Sequence, residues 1–428
     1  RLKEAVEMWR RAAEIRPDYG PFHLLHYDLL WEPEEIFREH VCWAERHAAP
    51  LAAMTAPHTN NRDPERRLRV GYVSPDFRGH SVAFFSEPLL AAHDRRSFEI
   101  YCYADVRNPD AVTERIRRLP VQWRDLHGAT DAEAAELIRR DQIDILVDLA
   151  GHTTGNRLLV FARKPAPVQV TYLGYPDTTG LRTIDYRLTD TWADPPGRTE
   201  HLHTEELVRL PRGAWCYRPP EDAPEAGPLP ARSSGTVTFG CFNNLAKVTP
   251  RLIAAWAEIL RRTLKARLIV KSPVLVDGST RRLVEERFRQ EGVADGRVQL
   301  FGPVKREHHL GLYQWIDLAL DTFPYHGTTT TCEALWMGVP VVVLEGAAHA
   351  SRVGVSLLTS VGLTDWIAPD WEGYVELATQ RACDLAGLAE LRAGLRARVR
   401  RAPLMDPQAI THDLEEAYRR MWRRWCAS

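Results

Sequence analysis

The chain has 428 residues, 44% of them hydrophobic and 26% charged, with a formal net charge of −1. This size and apolar share fit two or three globular domains and exclude disorder as the default, while near-neutrality excludes a global field for nucleic acid or an anionic membrane. Seven cysteines, at 42, 102, 216, 241, 332, 383 and 426, show no Cys-x-x-Cys spacing, which excludes a zinc ribbon or disulfide framework and leads us to expect a cytoplasmic protein.

Residues 1–57 read as helix only. Ala5, Trp9, Ala12 and Ile15 fall on one helical face ahead of Pro17, and the ending Ala-Ala-Glu-Ile-Arg-Pro-Asp-Tyr looks like the close of a tetratricopeptide repeat. One such unit cannot bury its stacking face alone, so further repeats are expected before Arg1. The start lacks both Met and a signal-peptide layout, and no apolar run nears the about 20 residues needed to cross a bilayer. The chain is therefore expected to be a piece of a longer protein with no membrane partner.

From Arg67 the pattern changes to short β-rich runs, 68–73, 98–103, 143–149, 168–173 and 184–188, alternating with helical stretches. Such alternation predicts a parallel α/β sheet for a domain over 66–217. Residues 218–235, rich in proline with Gly and Ser, read as a linker. A second series follows over 236–390, with strands at 237–241, 268–270, 298–301, 316–320 and 341–344 and a helix over 249–264. Two doubly wound domains facing across a cleft would suit a two-substrate transfer, because ligands bind beyond the carboxyl ends of such strands. Residues 391–428 read as C-terminal helices packing back across the domains. The last has Leu414, Tyr418, Met421, Trp422 and Trp425 on one face and Arg419, Arg420, Arg423 and Arg424 on the other, read as solvated charge.

The chemistry concentrates at strand ends. Asp321-Thr-Phe-Pro-Tyr-His-Gly-Thr-Thr-Thr-Thr-Cys-Glu-Ala-Leu-Trp-Met-Gly-Val-Pro340 joins a buried strand to a helix through a loop of hydroxyls, where free amides and a positive helix end would favour an anion. The alternative is a capping box between Thr330 and Glu333, worth about 1 kcal/mol. Lys247 follows another strand. Lysines occupy only positions 3, 164, 247, 265, 271 and 305, which leaves 50 of the 56 basic residues as arginine. A compact ammonium suits a phosphate as a point charge, against an exposed loop lysine with no partner. Asn243 and Asn244 beside it offer phosphate or sugar donors, or an ordinary turn.

In the first domain, His80 and His152 each follow a strand, where a near-neutral imidazole can accept a hydroxyl proton or serve structure. In Leu173-Gly-Tyr-Pro176, Gly174 would let backbone approach a ligand and Pro176 would stiffen the turn. His201, His203 and Glu205 read as a solvated loop rather than a metal site. The sequence has no Asp-x-Asp motif, no Gly-x-x-x-x-Gly-Lys-Ser/Thr loop and no Gly-x-Gly-x-x-Gly turn, so a metal-independent transferase is expected over an ATPase or dinucleotide enzyme.

Taken together, Leu-Arg-Val-Gly-Tyr-Val-Ser74, Arg163-Lys-Pro-Ala-Pro-Val-Gln169, Leu173-Gly-Tyr-Pro176, Cys241-Phe-Asn-Asn-Leu-Ala-Lys247 and the 321–340 block resemble the O-GlcNAc transferase and SPINDLY family (glycosyltransferase family 41), in order from about Arg67 to the C-terminus. The resemblance implies a GT-B fold with tetratricopeptide repeats ahead of it. It implies Lys247 on the donor's diphosphate, Asn243 and Asn244 nearby, Thr329 and Thr330 on phosphate oxygens beside Thr328, and Glu333 on the ribose. Arg306 and His309 would belong to the nucleotide pocket, while Gly174, Tyr175 and Pro176 would line the sugar. His80 would lie near the reacting centre, and His152 matches the Gly-His-Thr of the SPINDLY branch.

Thr328-Thr329-Thr330 in place of His-Thr-Thr, the preceding Phe323-Pro-Tyr325, Ala348-His-Ala350 and Val353-Gly-Val-Ser-Leu-Leu358 resemble the SPINDLY branch, which is similar to O-fucosyltransferases. The implied reaction is inverting O-glycosylation of protein Ser/Thr hydroxyls from UDP-GlcNAc or GDP-fucose, with no cofactor. Two alternatives stay open: an idle nucleotide- and peptide-binding scaffold, and a nucleotide-sugar epimerase on the same fold.

Overall fold

The computed structural model describes residues 4, 7, 8, 11, 22–27, 29–53 and 55–428. Ala5, Trp9, Ala12, Ile15 and Pro17, on which the tetratricopeptide reading rests, lie outside the described residues. The chain divides into two compact units, the first from the described residues of 1–25, 30–218 and 406–428, the second from 26–29 and 219–405.

The first unit is built on seven parallel strands: β1 (Leu68–Ser74), β2 (Phe98–Ala104), β3 (Gln122–Asp125), β4 (Ile145–Asp148), β5 (Val168–Thr171), β6 (Tyr186–Thr189) and β7 (Glu206–Arg209). Their order is β3-β2-β1-β4-β5-β6-β7. The register pairs Leu68 with Phe98 through to Ser74 with Ala104. In β1 and β2 both faces are covered, which is why these strands read as near-continuous apolar runs rather than as alternation. One face packs on a cluster that includes Phe22, Leu25, Ile36 and Trp43, so the described helical segment, with the helix Pro33–His47, is part of this core.

The other face receives the final helix, Pro407–Ala427, through Ile410, Leu414, Tyr418, Met421 and Trp422. A buried polar chain reinforces it: Tyr72 Oη lies 2.8 Å from His93 Nε2 and 3.1 Å from Tyr418 Oη, and His93 Nδ1 lies 2.8 Å from Glu415. Three of the four arginines expected to be solvated charge have partners, Arg423 and Arg424 from exposed positions. Arg419 donates to the carbonyls of Pro64 and Arg66, Arg423 pairs with Glu65 and Arg424 with Glu206. Fixed carbonyls and carboxylates thus meet them along the entry to β1 and the edge strand.

The second unit has six parallel strands: β8 (Thr238–Cys241), β9 (Arg267–Lys271), β10 (Val298–Phe301), β11 (Leu318–Leu320), β12 (Val341–Leu344) and β13 (Ile367–Ala368), ordered β10-β9-β8-β11-β12-β13. Thr249 caps the helix Pro250–Arg262 as expected, its hydroxyl accepting from the Leu252 amide at 3.1 Å. That helix buries Leu252, Ile253, Trp256, Ile259 and Leu260. Trp256 Nε1 donates to Tyr374 Oη, which donates to the Asp321 carbonyl at 2.9 Å.

Residues 218–235 are a packed strap rather than a loose linker. Fully buried Arg392 donates to the carbonyls of Gly227, Ile316 and Tyr313, and Asp317 accepts from the Ala231 amide. The expected boundary at 391 falls inside the helix Leu385–Arg401, which stays with the second unit; only 406–428 join the first. Arginine decides this, since Arg392 and Arg396 spend their donors on carbonyls of their own unit.

Trp422 is completely buried and its indole donates to the Asp63 carbonyl at 3.1 Å. Trp422→Ala should therefore destabilise the first unit by about 3–5 kcal/mol, read as a lower denaturant midpoint in that unit's unfolding transition.

Candidate functional site

In each sheet the strand order reverses between two neighbours, β1 and β4 in the first unit and β8 and β11 in the second. At such a point the loops leaving the carboxyl ends diverge and open a crevice. The loop after β8 carries Asn243, Asn244 and Lys247; the loop after β11 carries Asp321 to Thr328 and enters the helix Thr329–Trp336. Residues distant in sequence thus meet at one end of the second sheet.

Asp321 organises this end. Its Oδ1 accepts from Asn243 Nδ2, the Thr322 amide and the Gly327 amide, each at 2.9 Å, while its buried Oδ2 has no hydrogen-bond partner. Burial pushes the carboxyl up to about 6 against those donors and nearby Lys247. Asn243 Oδ1 in turn accepts from Thr330 Oγ1 at 2.6 Å. Only glycine permits this at 327, because a Cβ there would lie 2.3 Å from Thr330 Oγ1 and 2.7 Å from Asn243 Oδ1.

Lys247 Nζ donates to the His326 carbonyl at 2.8 Å and lies 3.7 Å from the centroid of the Tyr325 ring, which stacks on Tyr27 at 5.6 Å. No carboxylate among the described residues forms an ion pair with it. Burial lowers the ammonium to about 8, opposed by Asp321. His326 is held neutral, burial bringing it to about 3, with Nε2 donating to the Leu344 carbonyl and Nδ1 accepting from the Gly354 amide.

The capping box between Thr330 and Glu333 does not form. The helix begins at Thr329 with Thr328 as N-cap and no side-chain cap, and the Thr330 hydroxyl is committed to Asn243. The amides of Thr329, Thr330 and Thr331 precede the first intrahelical donor, since the Cys332 amide is the first to bond back, to the Thr328 carbonyl. The loop that ends in these uncapped amides also carries the His326 carbonyl on which Lys247 rests, an arrangement suited to an anion. Asn244 lies outside it: exposed, it caps its own turn by accepting from the Ala246 amide.

A second cluster adjoins. His309 Nδ1 lies 2.9 Å from Lys271 Nζ and its Nε2 lies 2.9 Å from Glu333 Oε2; Tyr313 Oη donates to the same oxygen at 3.2 Å. His309 thus faces Glu333, whereas exposed His308 approaches only Glu307. The Arg306 side chain lies outside the described ones. Lys271, Tyr313 and Asp321 escaped the sequence reading, although Lys271 carried the signal applied to Lys247, a rare lysine at a strand's carboxyl end.

In the first unit the two histidines separate in role. His80 is partly exposed, with Nδ1 3.4 Å from Asp76 Oδ2 and 3.3 Å from the Val82 amide; burial lowers it and raises Asp76, so the imidazole is neutral near pH 7. His152 is enclosed by Phe22, Trp43, His40 and Tyr175, with ring centroids 4.3 to 5.6 Å away. Its Nε2 donates to the Thr179 carbonyl, and burial brings it to about 4. This geometry makes His152 a packed donor rather than a proton acceptor.

Tyr175 also turns inward. His40 Nδ1 donates to the Ile36 carbonyl, so its Nε2 accepts from Tyr175 Oη at 2.8 Å. The glycine at 174 serves a close approach to protein, since a Cβ would lie 1.9 Å from the Leu149 carbonyl, and Pro176 is buried in the same turn. His201, His203 and Glu205 point to different partners: His201 to Glu34, His203 to Asp194, and Glu205 to Thr178 and Thr179.

The pattern of glycosyl transferase family 41 matches residues 17–216 and 229–414. The chain is 44% identical over 94% of its length to a Petunia hybrida protein described as a probable UDP-N-acetylglucosamine–peptide N-acetylglucosaminyltransferase SPINDLY, of which it covers 42%. It is 30% identical over 96% of its length to an Arabidopsis thaliana protein described as the probable transferase SEC, covering 44% of it. The chain thus spans less than half the length of the curated relatives it matches. A solved structure, a lysine-to-methionine mutant of the Thermobaculum terrenum O-GlcNAc transferase, superposes with a TM-score of 0.92 at 43% identity, over 100% of this chain and 82% of that one. Two parallel sheets with helices and this match establish a GT-B fold.

The Lys247 ammonium is present below about pH 8 and lost above it, so affinity for inorganic pyrophosphate, measured calorimetrically, should fall as pH rises through 8. Asp321→Asn removes the charge that favours the ammonium and should move this fall to lower pH; an unmoved midpoint would separate the two groups. Gly327→Ala should weaken pyrophosphate at least about tenfold, about 1.4 kcal/mol, at every pH by forcing Thr330 from Asn243.

Proposed function

The chain belongs to glycosyl transferase family 41, and on that premise we propose that it is the catalytic region of a metal-independent, inverting protein O-glycosyltransferase that uses UDP-GlcNAc or GDP-fucose. The observation that carries this is the Lys247 ammonium, drawn out of water beside three uncapped amides and given a carbonyl and an aromatic face instead of a carboxylate. Such a cation has no ion-pair partner among the described residues, the Asp321 carboxylate acting on it only without direct contact, and a nucleoside diphosphate supplies one.

In the proposed step the oxygen of an acceptor Ser or Thr hydroxyl bonds to the anomeric carbon, and the bond from that carbon to the diphosphate oxygen breaks with its electron pair. Lys247, the Thr329 hydroxyl and the amides of Thr329 and Thr330 meet the charge that develops on the leaving oxygen. The Thr330 hydroxyl contributes through Asn243 instead. The acceptor hydroxyl gives up its proton to a base as the new bond forms; of the two histidines of the first unit, His80 is the one whose neutral ring is partly exposed. Glu333 takes the ribose hydroxyls through Oε1, on which no hydrogen bond from the described residues ends.

The test is incubation of the purified chain with each nucleotide sugar and a Ser/Thr peptide, following diphosphate release and peptide mass. Lys247→Met should lower turnover by 10²–10³, about 3–4 kcal/mol, with an unchanged circular dichroism spectrum. Thermal shifts with UDP and GDP would assign the base, since saturation at 100 times Kd stabilises by about 2.7 kcal/mol. Diphosphate release without peptide modification would sink the acceptor assignment.

A further inference from the structure

Lys271 is the last residue of β9, half-buried, and hydrogen-bonded to an imidazole rather than to a carboxylate. No carboxylate among the described residues forms an ion pair with it; the negative charge it faces, Glu333, is reached only through His309. An ammonium has donors and no acceptor, so its contact with His309 Nδ1 admits one proton arrangement. Nδ1 carries the lone pair, Nε2 carries the hydrogen, and that hydrogen goes to Glu333 Oε2. Tyr313 donates to the same oxygen, which leaves Oε1 as the oxygen on which no hydrogen bond from the described residues ends.

Apart from its hydrogen bond to Glu333, the residue that Lys271 fixes has few other restraints. His309 ends a four-residue helix, Arg306–His309, with no side-chain cap. Its ring touches Phe242 and Tyr313 only as tilted and edge contacts at 6.2 and 5.9 Å.

We propose that Lys271 is a positioning residue of the nucleoside pocket, which locks His309 in its Nε2–H tautomer and through it orients the Glu333 carboxylate before the donor arrives. The inference deepens the nucleotide-sugar reading above and rests on it. Order matters here because the ring and carboxylate are presented already set, so binding does not have to order them. The ammonium acts through a hydrogen bond and not as a second phosphate cation. That distinction makes the role testable.

The experiment compares the wild-type chain with Lys271→Met and Lys271→Gln. Long-range proton–nitrogen correlation spectra of histidine-labelled, ligand-free protein give the tautomer, the His309 signals being assigned by their loss in His309→Gln. Calorimetry gives Kd for UDP and GDP. Wild type should show a single His309 tautomer with unprotonated Nδ1. Lys271→Met should show a mixture and bind the preferred nucleotide at least about tenfold more weakly. Lys271→Gln, whose amide still donates, should keep both properties. An unchanged tautomer in Lys271→Met, or Gln as weak as Met, overturns the proposal. If wild type bound neither nucleotide, the donor reading would fall while the tautomer comparison still decided the role of Lys271.

Discussion

The Lys247 end of the second sheet depends on one buried carboxylate. Asp321 closes β11, and a single oxygen of it gathers Asn243 from the loop after β8 together with the amides of Thr322 and Gly327. Taking a carboxylate out of water is costly, and three donors on Oδ1 with a cation nearby offset that cost only in the observed geometry. The loop is therefore fixed before any ligand enters. Removing any member leaves the others desolvated and unpaired, which is why the network behaves as a unit. Around it, Tyr374 holds the Asp321 carbonyl and His326 the β12 end, so the site inherits the stiffness of the sheet.

The same economy appears in the use of arginine and lysine. Arginines with planar forks satisfy several carbonyls at once, as Arg392 does for the 219–235 strap and Arg419 for the approach to β1. Lysines are kept where a point charge or a rotatable donor is needed. Lys247 and Lys271 both end up at strand carboxyl ends of the second unit, one beside the uncapped helix start and one on His309. In the first unit the polar groups at strand ends are mostly internal: His152, Tyr175 and Glu205 each close a turn against protein. His80 alone of the two histidines keeps partial exposure there.

The apolar runs marked the inner strands of both sheets, because strands buried on two faces leave continuous hydrophobic segments, but missed the edge strands β3, β7 and β13, which are short, β3 and β7 also being more exposed. Thr249 and Pro250 were legible as a helix start because capping is local chemistry. Motif spacing and resemblance singled out Lys247, Thr329, Glu333 and His309, and the fold brings His309 onto Glu333 and Lys247 onto the loop that leads to Thr329. What misled were residues whose partners are remote. His152 and Gly174 stand at strand ends like His80 and Gly327, yet the first turns into aromatic packing and the second meets the Leu149 backbone. The strap at 218–235 reads as a linker because what it offers Arg392 and Asp317 is a backbone carbonyl and a backbone amide, which have no sequence signature.

The sequence by itself determined the architecture, the strand ends at which chemistry is possible and the scarcity of lysine there, because periodicity, capping and composition act over a few residues. Only the tertiary structure decided which donors are still free. The Thr330 hydroxyl is taken by Asn243, 87 residues away in sequence, and His309 is held between Lys271 from another strand and Glu333 from a later helix. A hydrogen bond is settled by distance and direction in space, and a buried group's charge by everything packed around it, so neither is written in the order of the chain.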